Sequence, residues 1–244
     1  MAIHDISGSR YAPVYDEGLR AYMLKIYNYM AAALTLTGLA AWFSAHSPAI
    51  LSSLYVVQGQ TITGMSGLGW IVMLAPLGLV FYLSFGLRTM SLAVVQISYW
   101  IYAGLLGLSL SVVFLAYTDE SIARVFFIAA GTFAGMSIIG YLTKKDLTGL
   151  GSFMMMGLTG LIIASLVNLF LKREDVQFAL SAIGVVIFVG LTAFDTQKLK
   201  NLYAETADSE WTGKVAIMGA LILYLDFINI FLSLLQLLGQ RKNR

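Results

Sequence analysis

The sequence predicts an all-α integral membrane protein, a bundle of seven transmembrane helices. Three observations carry that expectation. The 244 residues are 59% hydrophobic and only 11% charged, whereas soluble domains carry about 25% charged residues. Mean hydropathy is +0.80. Seven stretches approach the roughly 20 apolar residues that cross ~30 Å of hydrocarbon, and no strand-like alternation suggests a membrane barrel.

The first 20 residues, MAIHDISGSRYAPVYDEGLR, are polar and of mixed charge. They lack the basic start, apolar stretch and small-residue site of a cleaved signal. Residues 1–20 are therefore read as a tail outside the bilayer and 21–240 as the membrane domain. The segments are 22–45, which serves as an uncleaved signal, then 67–87, 92–117, 122–142, 150–171, 177–200 and 213–238. Joins are short apart from 46–66 and 201–212. Ala103, Gly107 and Ser111 repeat every four positions, as do Gly131 and Gly135, a spacing that lets helix backbones approach. Asp146 in TKKDLTGLG is a candidate cap for the fifth segment.

Lys and Arg set the orientation. With the N-terminus inside, nine basic residues fall on the inner side, from Arg10 to Lys214, against three outside, Arg124, Lys172 and Arg173. The N-terminus is expected to be cytoplasmic. Arg241, Lys242 and Arg244 would lie outside after seven full spans. Two alternatives stay open: the last segment crosses only half-way, or earlier helices fix the topology.

Two acids stand out. Asp226 sits in LILYLDFINIFLSLLQLLG, and Asp195 ends the apolar run VVIFVGLTAFD. At ~100° per residue, Asp226, Asn229, Ser233 and Gln236 share one helix face. Ser181, Gly184, Phe188, Thr192 and Asp195 share another. Polar stripes in apolar helices turn toward the bundle. At 1.5 Å per residue Asp195 lies ~5–8 Å inside the interface marked by Lys198 and Lys200. Asp226 lies ~18 Å deep counted from Lys214, or ~9 Å if the excess helix length protrudes inward. On the second count the two carboxylates face each other near the inner mouth. Two such groups cannot both ionise cheaply and titrate as a unit. With nearby amide and hydroxyl oxygens they are also hard ligands suited to Ca²⁺.

Several classes are excluded. Cysteines are absent, and His4 and His46 have no partner at metal-ligand spacing. A net charge of +2 without a basic, aromatic-interleaved patch argues against nucleic acid. An intramembrane aspartyl hydrolase needs YD and GxGD contexts, but Asp195 follows Phe194 and Asp226 lies in LYLDF. The chain is read as a non-enzyme.

FDTQKLK (194–200) followed by ALILYLDFINIFLSLLQLLG (220–239) resembles the paired C-terminal signature of the Bax inhibitor-1 family. GYLTKKDLTGLGSF (140–153) looks like the family's inner-loop motif, and ISYWIYAGLLGLSLSVVF (97–114) is similar to its third helix. The resemblance implies a seven-helix fold with the last helix near the centre. Members are described as pH-sensitive calcium leak proteins, and eukaryotic ones suppress cell death from the endoplasmic reticulum. In bacterial members an Asp pair is the pH sensor, and the matching positions are Asp195 and Asp226. An Arg at the end of the second helix interacts with that pair; Arg88 in FGLRTMS occupies the matching position. The family's second-helix Glu has no counterpart, since 67–87 holds no acid. Some bacterial relatives associate with a membrane-anchored ATP-dependent protease and modulate it.

The leading expectation is thus a pH-sensitive calcium or cation leak in a bacterial plasma (inner) membrane, a function in ion transport. Asp195 and Asp226 form the gate and the candidate Ca²⁺ ligands. Arg88 is the candidate latch, and Asn229, Ser233 and Gln236 line the polar route. No cofactor is required; Ca²⁺ is the permeant ion, and the bilayer and calcium ions are the partners. The alternative is a non-channel regulator of a membrane-anchored ATP-dependent protease or of a stress response, acting through its tail and inner loops.

Overall fold

The computed structural model describes residues 17–58, 61–203 and 209–242. The elements in order are α1 (Glu17–His46), α2 (Pro48–Leu54), β1 (Tyr55–Gln58), β2 (Thr61–Met65), α3 (Gly67–Gly86), α4 (Leu92–Ser109), α5 (Ser111–Ala116), α6 (Asp119–Leu142), α7 (Thr148–Leu171), α8 (Glu174–Tyr203) and α9 (Ser209–Leu238). Each of the seven expected segments falls on a helix. Residues 1–16 of the expected tail lie outside the described residues, and 17–20 already belong to α1.

Three helix starts carry hydroxyl caps that satisfy otherwise orphaned backbone donors. Ser66 accepts from Gly69 N at 3.0 Å, Ser91 from Val94 N at 3.4 Å and Thr118 from Ser121 N at 3.4 Å. Pro48 opens α2, where its missing N–H costs nothing. Asp146 acts one residue earlier than expected: Leu147 is the cap position of α7. Asp146 Oδ1 instead accepts from Thr148 N at 2.9 Å and Thr148 Oγ1 at 2.6 Å. The Thr148 hydroxyl, and then its amide, hold this exposed carboxyl below the ordinary carboxylate range.

The structure corrects the sequence reading in two places. The expectation of an all-α chain misses an antiparallel hairpin, β1 paired with β2, in the 46–66 link. The third segment is not one helix: it breaks at Leu110 (ψ 0°) into α4 and α5. The last segment, for which a half-crossing was one alternative, is a single helix of 30 residues. Near the start of α9, Gly213 lies beside Leu92, which opens α4. Beyond its end, Thr118 N donates to Gln240 O at 3.0 Å and Lys242 N to Ala116 O at 2.9 Å, beside an isolated bridge between Tyr117 and Arg241. So α9 extends as far as α4 and α5 together.

Six helical stretches are long and apolar enough to cross a membrane: Gly67–Gly86, Leu92–Ala116, Asp119–Leu142, Thr148–Leu171, Glu174–Tyr203 and Glu210–Leu238. The count by length and composition is six, where the sequence reading has seven. The difference is α1, which has 30 residues but carries Arg20, Lys25 and Asn28 in its first half. Burial ranks the helices. In α9, 72% of the apolar window is buried, against 50% in α8 and 6% in α7. The last helix is therefore the central one. Leu223, Tyr224 and Ile230 on it are fully covered.

Close backbone approach occurs at Gly107, where a Cβ would sit 2.6 Å from Thr37 O on α1. Gly131 and Gly135 differ from expectation: a Cβ on either meets open space. Their four-residue spacing is chance in a glycine-rich chain rather than a packing motif.

Candidate functional site

The two acids meet. Asp195 on α8 and Asp226 on α9 lie within hydrogen-bonding reach of each other. Asp226 is 5% exposed, and Asp195 is half-buried. Among the described residues no amide or hydroxyl donates to the buried Oδ2 of Asp226. Two carboxyl groups in contact need a proton between them, because two anions at that range repel in a medium of low dielectric. The cation facing Asp195 is Lys198, one turn along α8, whose ammonium also lies 5.8 Å from the Phe194 ring centroid.

Neighbouring side chains hold α8 in register around Asp195. Thr196 Oγ1 is 3.0 Å from Ser137 Oγ on α6, and Ser137 Oγ is 2.5 Å from Tyr27 OH on α1. Gln197 accepts from Leu147 N at 2.8 Å and donates to Lys145 O at 2.8 Å, so its amide pins the α6–α7 link. Lys200 Nζ donates to Tyr141 O at 2.8 Å. Gln197→Ala leaves two backbone groups of that link without these partners. It should lower stability by about 1–3 kcal/mol, read as a fall in thermal midpoint in detergent, whereas Lys198→Ala on the exposed side should not.

The stripe beyond Asp226 faces a groove of about 410 Å³ between α7, α8 and α9. Asn229, Ser233 and Gln236 all line it, together with Ser165, Gln177 and Ser181. Gln236 Oε1 accepts from Gln177 Nε2 at 2.6 Å and from Ser181 Oγ at 2.5 Å. Asn229 donates to Leu225 O of its own helix at 2.8 Å, and Ser233 packs toward Gly184.

Arg88 is not brought to the pair. It lies exposed in the turn after α3, and among the described residues it makes no ion pair. Nor is there, among those residues, a group of three or more His, Cys, Asp or Glu able to hold a metal. The two acids therefore offer a cation a partial shell rather than a closed cage. Sequence reasoning missed Ser137, Tyr27 and Gln177. Nothing in their local spelling distinguishes them from ordinary helix-interior polar residues; only the packing of α1, α6 and α8 joins them to the site.

A family profile described as inhibitor of apoptosis-promoting Bax1 matches residues 19–243. The chain belongs to the Bax inhibitor-1 family. Its relatives share nearly their whole length with it. An uncharacterised protein of Rickettsia prowazekii is 52% identical over 229 residues, 94% of this chain and 93% of the relative. The inner membrane protein YbhL of Escherichia coli is 44% identical over 227 residues, 92% of this chain and 94% of YbhL. A membrane protein of Streptococcus pyogenes is 35% identical over 226 residues, 92% of this chain and 95% of the relative. Family membership, the membrane names of the Escherichia coli and Streptococcus pyogenes relatives and six apolar helices make the chain a membrane protein of the Bax inhibitor-1 family.

Proposed function

We propose that this member of the Bax inhibitor-1 family is a pH-sensitive leak pathway for Ca²⁺ or similar cations. We place it in a bacterial inner membrane with its N-terminus in the cytoplasm and α1 as a seventh span. The observation that carries this reading is the contact between Asp195 and Asp226 in the most buried helix pair of the bundle. A carboxyl pair in that position is costly unless it works, because intramembrane ionisable groups are expensive to retain. Sharing one proton, the pair ties α8 to α9. Losing it leaves two repelling charges that a cation can neutralise. The groove at Asn229, Ser233 and Gln236 provides polar lining on one side of the pair. Two carboxylates without a third acid bind Ca²⁺ weakly, as passage requires.

The test is Ca²⁺ entry into liposomes loaded with a calcium indicator and carrying the purified protein, recorded from pH 5 to pH 8. The expected result is entry above that of protein-free liposomes, varying with pH. Entry equal to protein-free liposomes at every pH would remove the leak reading. It would leave regulation of a membrane-anchored protease, through the tail and inner loops, as the function to pursue.

A further inference from the structure

Helices α1 and α6 flank a lateral slot, crossed in its inner part by the Tyr27–Ser137 hydrogen bond of 2.5 Å. Its inner part, about 460 Å³, is lined by Arg20, Tyr27, Ser137 and Tyr141 among apolar neighbours. Its middle part, about 430 Å³, lies between Gly38 of α1 and Phe126 of α6. The outer part, about 260 Å³, shares Gly38 and Phe126 with the middle and is floored by Phe227 and Phe231 of α9. The α1 residues on this slot run from Arg20 to Ala41 at helical spacing, about 31 Å of helix at 1.5 Å per residue. That equals the ~30 Å hydrocarbon core. The cavities together span that depth, and beyond the Tyr27–Ser137 bridge their walls are largely apolar as far as Asp119.

The two ends of the slot have opposite character. At the inner end stands Arg20, which makes no ion pair among the described residues. Lys200 lies close by, its ammonium 5.3 Å from the centroid of the Tyr141 ring. Among the described residues no acid lines that mouth. At the outer end the charged lining residue is Asp119, already engaged by Lys242 at 3.4 Å. An amphiphile with a negative head and an apolar tail fits in one orientation only, head at Arg20 and tail running toward Phe126.

We propose that the α1–α6 slot is a binding site for an anionic phospholipid of the leaflet on the Arg20 side, its phosphate at Arg20 and one acyl chain between the helices. The chain packs against Phe126 and Phe133. Both rings contact Phe227, at 5.3 and 5.8 Å between centroids, and Phe227 adjoins Asp226. The bound lipid thus packs, through Phe126 and Phe133, onto the Phe227 face of α9. The proposal needs only the membrane setting and stands or falls independently of ion flux.

The experiment places the full chain in phosphatidylcholine nanodiscs doped with phosphatidylglycerol carrying a mid-chain diazirine. A parallel set carries phosphatidylcholine with the same acyl group. After irradiation, adducts are mapped by peptide mass spectrometry. The expected result is labelling concentrated on slot residues of α1 and α6, above the lipid-facing side of α7, with phosphatidylglycerol favoured about fivefold as one interfacial cation contributes. Arg20→Gln should abolish that preference. Gly38→Trp, at a position where a side chain meets open space, should abolish slot labelling by either lipid. Slot labelling no denser than on α7 would mean ordinary annular lipid and overturn the site. Equal labelling by both lipids, or Arg20→Gln behaving as wild type, would overturn the anionic specificity. Arg20 is exposed in the first turn of its helix, so this arm remains informative even if Gly38→Trp fails to fold.

Discussion

Asp226→Asn should leave Ca²⁺ entry into liposomes nearly constant between pH 5 and pH 8, and Asp195→Asn should do the same. The wild-type chain should vary by up to about tenfold per pH unit, the limit for a switch that turns on one proton. Asparagine keeps the size of the side chain and can still bridge the helices, but it cannot release the proton that the pair shares. The double variant is the sharper test. If the carboxyls act as one unit, Asp195→Asn with Asp226→Asn should look like either single variant rather than their sum. An additive result, or a single variant that keeps the wild-type pH profile, would separate the two acids and remove the gate. Arg88→Gln is a useful companion. Arg88 is exposed and makes no ion pair among the described residues, so the variant should retain the pH profile of this state.

Gly140→Ala should be the most destabilising single-methyl change in α6. A Cβ at residue 140 would overlap the backbone carbonyl of Ala193 on α8. Backbone does not move aside as the tip of a side chain does, so α6 must shift away from α8. Overpacking of this kind costs about 1–3 kcal/mol. The shift would also strain the Ser137–Thr196 hydrogen bond one turn away, which is 3.0 Å in the native packing. Gly131→Ala supplies the control on the same helix. Its Cβ meets nothing within 4 Å, and alanine favours helix over glycine by up to about 1 kcal/mol. A thermal scan in detergent should therefore show the two alanine variants moving in opposite directions. Equal midpoints would mean that α6 and α8 are less closely packed than described.

The apolar runs made the helices legible, because length and hydropathy are local properties. Six of them need only composition to be recognised as spans. The acid pair was legible for a different reason: a carboxylate in LILYLDFINIF is improbable unless something compensates it, and a second acid offered the compensation. What the sequence could not carry was whatever depends on two helices at once. Depth counting gave Asp226 two levels, ~18 Å or ~9 Å, of which only the second met Asp195, and the packing of α8 on α9 decides between them. The four-residue spacing of Gly131 and Gly135 looks the same on paper as that of Ala103 and Gly107, yet Ala103 and Gly107 lie against α1, whereas a Cβ on Gly131 or Gly135 meets open space. The hairpin at Tyr55–Met65 was missed because its strands are four and five residues long. A period-two pattern is hard to separate from a polar link over so few residues. Arg88 was placed by its position at the end of the second segment and by resemblance, and both fix a position in the chain without fixing where a long side chain reaches.

The small ladder that joins residues 240–242 to Ala116–Thr118 has a mechanical meaning. At that end α9 is tied through backbone bonds to the junction of α5 and α6, and Lys242 adds a bond to Phe114 O at 2.8 Å. A rod anchored in this way, with neighbours along most of its length, cannot slide along its own axis without first breaking the ladder. It serves as a fixed post. Any opening at the proposed gate must come from the surrounding helices leaning away from this post.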